Sequence, residues 1–130
     1  MSEAADRWMA FAYEDLQMAE FALAGKIYNQ ACFHSQQCVE KALKGLLSKL
    51  GRTIPRTHSV TDLLEKLPSD WFEDLWDDMT LLDDLYIPAR YPDALPGSLP
   101  EGLPGQTDAE QNIALARIVL EKGRRLIQTE

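Results

Sequence analysis

In four stretches of this chain the apolar residues recur at steps of three and four, and nowhere do they alternate strictly with polar ones. A chain with this pattern builds helices, each of which must bury one stripe against the others. The first stripe runs through Ala5, Trp8, Ala12, Leu16, Ala19 and Leu23, and Gly25 follows as a stop. The second, from Asn29 to Leu50, carries Cys32, Val39, Leu43, Leu46 and Leu50, with Gly51 where a left-handed cap is expected.

Residues 51–58 hold a glycine and a proline and read as a connection, after which Ser59 caps a short helix that ends at Leu67 before Pro68. Ser69 is placed to cap a fourth helix with Trp71, Leu75, Met79, Leu82 and Tyr86 inward and Asp70, Asp74, Asp77, Asp78 and Asp84 outward. Four of the seven prolines and three glycines then fall between Pro92 and Gly105, which predicts a loop, longer than most helix–helix connections. A last helix opens on the capping box Thr107, Asp108, Ala109, Glu110 and continues through Ile113, Ala116, Leu120 and Ile127. The expected fold is all-α: one domain over residues 1–130, an up-and-down antiparallel bundle of four long helices and one short one. At this length a domain can bury roughly two-thirds of its unfolded surface without disulfide or metal staples.

Charge narrows the function classes. The net −8 argues against indiscriminate binding to a phosphate backbone, which draws on Lys and Arg. The charge is nevertheless polarised: residues 69–93 carry eight acids and one base, whereas residues 26–66 carry seven bases and three acids. A small phosphate site beside the basic segment is compatible with an acidic whole. Cys32 and Cys38 are six apart and point about 120° away from each other on a helix, so they do not bridge. Acids interrupt the first fifteen residues, and no apolar run reaches the roughly 18 residues of a spanning helix. A reducing cytoplasm, with both thiols as buried hydrophobes and no membrane association, is the expected setting.

The second helix carries a polar stripe, Gln37, Lys41, Lys44 and Ser48, at helical spacing. Two cations and an amide can bind a phosphate or a base edge; the competing reading is a solvated face, supported by Glu40 four residues before Lys44. His34 and Cys38 share the same spacing, but no further ligand pattern accompanies them, so neither a metal nor a cofactor is expected. Arg90 and Tyr91, ahead of Pro92 and Asp93, sit where a helix end projects side chains into a groove; Arg suits bidentate phosphate recognition, and pairing with Asp83, Asp84 or Asp93 is the alternative.

Three strings in order, Cys32-Phe33-His34-Ser35-Gln36-Gln37-Cys38-Val39-Glu40-Lys41-Ala42-Leu43-Lys44, then Thr57-His58-Ser59, then Ala89-Arg90-Tyr91-Pro92-Asp93, closely resemble the HEPN domain over nearly the whole chain. The resemblance implies a helical bundle that forms homodimers, with functions from nucleotide binding to metal-independent RNA cleavage. It also implies, as partner, a minimal nucleotidyltransferase in a toxin–antitoxin pair. Active ribonucleases of that family carry an Arg, four to six residues, then a His. Here Arg90 aligns, but Leu95, Pro96 and Gly97 stand where the His belongs. Arg52 and His58 match the spacing in the wrong place, and His58 belongs instead to the element that orders the start of the short helix. The expectation is therefore a phosphate-binding module using Arg90 and Tyr91 with Gln37, Lys41 and Lys44. The rivals are a ribonuclease in which Tyr91 or His58 supplements Arg90, and a purely structural partner protein.

Overall fold

The computed structural model describes residues 3–84 and 103–129, and among them there are helices and no strands. Helix α1 spans Glu3–Ala24 and α2 spans Tyr28–Lys49; α3 is Val60–Glu65, α4 is Trp76–Thr80 and α5 is Gln106–Gln128. A single 3-10 turn, Glu73–Leu75, leads into α4. The fold is the all-helical bundle that the periodicity predicts.

Helix α2 is its axis. It packs along α1 on one side and α5 on another, with α3 against it as well. Cys32, Val39, Leu43, Leu46 and Leu47 are all solvent-free. Each buried Leu contributes about 1.5–3 kcal/mol relative to exposure. Leu50 departs from the expected stripe: it caps the end of α2 and is 37% exposed. On α1 the core stripe runs through Ala5, Met9, Ala12, Leu16 and Ala19, with Trp8 at its half-buried edge. The close approach of α1 to α2 depends on Gly45, where a Cβ would stand 3.1 Å from Trp8 Cβ and 3.3 Å from the Ala5 carbonyl oxygen.

The helix ends follow their local chemistry with two shifts. After α1 the left-handed residue is Lys26 (φ 63°), not Gly25, because Ile27 N–H reaches back to the Ala22 carbonyl at 2.8 Å. Gly51 has φ 72°, as its position predicts. Helix α5 begins two residues earlier than the Thr107 box implies, and its first turn is closed by Asp108, whose carboxylate accepts from Gly105 N–H at 2.9 Å. At its other end Lys49 of α2 donates to the carbonyl oxygens of Leu126, at 2.9 Å, and Thr129, supplying a cation where the helix dipole is negative.

The acidic fourth helix is the main correction. Ser69 does not cap it. Trp71 N–H instead closes a turn on the Pro68 carbonyl at 3.2 Å and Leu75 N–H bonds the Phe72 carbonyl, so the chain passes through the 3-10 turn before α4. This register buries Phe72 beside Met79 and Leu82 and leaves Trp71 and Leu75 at the rim. Asp70, Asp74, Asp77, Asp78 and Asp84 are exposed as expected. Tyr86 and most of the loop predicted over Pro92–Gly105 lie outside the described residues.

Candidate functional site

The connection between α2 and α3 is held by α2 itself. Gln36 is fully buried and donates from Nε2 to the His58 carbonyl at 3.0 Å. One turn on, Glu40 turns its carboxylate, only 4% exposed, toward three donors. Lys44 Nζ reaches one oxygen at 3.0 Å, while His58 Nδ1 (3.1 Å) and Gln37 Nε2 (3.4 Å) face the other. Gln37 also donates to Gln36 Oε1 at 2.7 Å, which joins the five side chains into one network. An ionised carboxylate only accepts, so in this contact Nδ1 of His58 is the donor.

The flanking residues fix the same segment from the α3 side. Ser59 Oγ accepts from Asp62 N–H at 3.1 Å as the N-cap of α3, and Thr57 Oγ1 accepts from Ser59 N–H at 3.0 Å. Asp83 then covers this end: its carboxylate accepts from the N–H groups of Val60 (2.7 Å) and Thr61 (3.1 Å) and from the hydroxyls of Thr61 (2.7 Å) and Ser59 (3.2 Å). An acid that binds a helix N-terminus complements the unsatisfied N–H groups and the dipole.

A second cluster lies further along the α1–α2 seam. Asp15, buried within the α1 stripe, binds Lys41 Nζ at 2.6 Å and His34 Nδ1 at 2.9 Å. His34 is thus turned to α1 and not to Cys38, whose Sγ points at the Ala116 carbonyl. Burial pushes the Cys32 thiol up to about 11, against a lowering by its bond to Asn112. Burial raises Cys38 to about 12, with the Asp15 charge adding to the rise. Thiolates are the reactive form. Iodoacetamide at pH 8 is therefore expected to leave both cysteines unmodified in the folded protein and to alkylate both in urea, as read by intact mass.

Of the residues that the sequence nominates, the structure brings Gln37 and Lys44 together around Glu40, and Lys44 lies over the Trp8 ring at 5.7 Å from its centroid. Lys41 belongs to the neighbouring Asp15 cluster. Arg90 and Tyr91 lie outside the described residues. Arg52 and His58 are separated by their partners: Arg52 donates to the Lys66 carbonyl at the end of α3, while His58 turns to Glu40. Beside the site, Ala4, Arg7, Trp8 and Phe11 line an open cleft of about 260 Å³. The sequence reading gives Asp15 and Gln36 no role of their own and offers Asp83 only as a partner for Arg90. Asp15 leaves a trace, an acid three residues after Ala12 and four before Ala19 on an otherwise apolar face.

A helical bundle that spends buried polar side chains of its central helix on one exposed connection is a domain built around that connection. The chain belongs to the HEPN domain family, whose family model matches residues 5–126. It is 35% identical over 121 residues to the candidate toxin MJ1304 of Methanocaldococcus jannaschii, an alignment covering 85% of this chain and 79% of that protein. Among solved structures it is similar to TT1696 of Thermus thermophilus (36% identity, TM-score 0.83). That match covers 97% of this chain and 99% of the other. It is also similar to ST0689, an archaeal HEPN homologue, at 36% identity and a TM-score of 0.75, with the same coverage. Among the described residues no helix is long and apolar enough to cross a membrane.

Proposed function

We propose that this chain is the small HEPN half of a toxin–antitoxin-type pair and that it holds a nucleotide or RNA phosphate in the cleft of a homodimer. Arg90 supplies the charge, with Tyr91, Gln37, Lys41 and Lys44 around it, and a minimal nucleotidyltransferase is the companion. The observation that carries this reading is the Gln36–Gln37–Glu40–Lys44–His58 network, a set of polar side chains fixed in place beside the half-buried Trp8. The similarity to a candidate toxin supports the toxin half. Since Glu40 neutralises Lys44 and Asp15 neutralises Lys41, the net positive charge for a phosphate falls to Arg90. The dimer is supported by large apolar side chains left at the surface of α1, Phe11, Met18 and the 72% exposed Phe21, because such surfaces mark interfaces when they cluster.

Calorimetric titration with ATP and with a short single-stranded RNA tests the reading. The wild-type protein is expected to bind at least one of them, and Arg90→Ala to weaken it about 10–100-fold, the value of one charge-assisted phosphate contact. Binding of neither ligand by the wild-type protein contradicts the reading. A ribonuclease is the second reading, favoured by the orientation of His58.

A further inference from the structure

We propose that the open cleft at the start of α1 is a base-binding subsite that takes a purine of the nucleotide or RNA and prefers guanine, with Phe11 and Trp8 as its stacking walls and Arg7 as the residue that reads the base edge. The inference rests on the phosphate reading above and adds the base to it. Ala4, Arg7, Trp8 and Phe11 line this cleft of about 260 Å³. Two of the four are aromatic, and Arg7 and Phe11, four residues apart, share one face of α1. Phe11 is 52% exposed whereas Trp8 is half-buried, so one ring is free to meet a ligand and the other is held. What holds it belongs to the polar network: Lys44 Nζ lies 5.7 Å from the centroid of the Trp8 ring and 3.0 Å from Glu40. One residue, Trp8, thus joins the cleft to the network, the adjacency that a base and its own phosphate require.

Stacking on an aromatic ring tolerates any base, because every base presents a π face. The choice among bases falls to the hydrogen-bonding groups of the walls. Arg7 has donors to spare: its side chain is 67% exposed, and the acid it pairs with among the described residues, Glu3, stands at 3.9 Å, beyond hydrogen-bond range. The guanidinium of Arg7 and the indole N–H of Trp8 only donate, and neither Ala4 nor Phe11 adds a side-chain acceptor. A wall of donors selects a base edge made of acceptors. Guanine presents O6 and N7, which match the fork of an arginine. Adenine sets its N6 amino donor against the guanidinium, and uracil offers the single O4 on a smaller ring.

The test titrates the full chain, by calorimetry, with RNA pentamers of uridine whose central base is guanine, adenine or uracil, so that the phosphates are common to all three, and with GTP against ATP. Wild type is expected to bind the guanine pentamer at least about tenfold more tightly than the adenine one, and GTP more tightly than ATP, from one bidentate contact. Arg7→Lys keeps the charge and loses the fork. Its guanine preference is expected to fall to within about twofold, while its binding of the adenine pentamer changes by less than about threefold. Phe11→Ala is expected to weaken the guanine pentamer about 5–100-fold. Its sedimentation coefficient is expected to stay at the wild-type value, since Met18 and Phe21 lie further along α1. Equal affinity of wild type for the three pentamers, a guanine preference that survives Arg7→Lys, or a Phe11→Ala variant that binds as wild type overturns the subsite and leaves the phosphate reading standing. So does a Phe11→Ala variant that loses binding together with its oligomer, which places Phe11 between copies. Failure of wild type to bind any pentamer, GTP or ATP takes down the phosphate reading as well.

Discussion

Glu40→Ala is expected to destabilise the protein by about 3–5 kcal/mol, since removing one partner of a buried ion pair leaves the other charge uncompensated. For a domain of this size that lowers Tm by on the order of 15 °C. The ammonium of Lys44, 10% exposed, loses the oxygen it faces at 3.0 Å, and Gln37 and His58 lose an acceptor. The mechanism is checked by a second variant. Replacing Glu40 and Lys44 together by leucine removes both charges, and a thermal melt is expected to recover most of the loss, because apolar replacement of a buried pair is often neutral. A double variant as unstable as Glu40→Ala would place the loss in the His58 and Gln37 bonds instead.

The second large effect is expected at Asp83. Its carboxylate accepts four hydrogen bonds from the first turn of α3 and the residue ahead of it. Asp83→Ala is expected to cost about 2–3 kcal/mol in urea denaturation, from the lost cap and charge-assisted bonds. Asp83→Asn keeps part of the acceptor set and is expected to lose less than half as much. A neighbouring exposed acid on the same segment, Asp84, has no such bond among those of the described residues, and Asp84→Ala is expected to change stability by less than about 0.5 kcal/mol.

These two residues also mark where sequence stops being informative. The long helices are legible because a stripe at steps of three and four records burial directly, and α1, α2 and α5 follow it. The Glu40–Lys44 pair is legible too, being local on one helix. Its depth is not: Lys44, with its side chain 10% exposed, lies over the Trp8 ring of α1, a contact between residues 36 positions apart. Asp83 looks like every other acid in a segment rich in them, and only the turn after α4 aims it at α3. The fourth helix misleads for a related reason. Its apolar spacing fits one continuous helix, but the Pro68 turn and the burial of Phe72 select a different register. At the site, the local role of Thr57-His58-Ser59 is readable from capping chemistry, while the bond from the His58 ring to a carboxylate 18 residues earlier depends on how the connection folds back along α2.

The claim that the polar network on α2 faces a phosphate ligand is tested most directly by titrating isotope-labelled protein with a short single-stranded RNA and following backbone and side-chain NMR signals. Shifts are expected to concentrate at Gln37, Lys41, Lys44, His58 and Ser59, at the indole of Trp8 and at the guanidinium of Arg90. Signals that stay still at those residues, or move only on the outer face of α5, would contradict it.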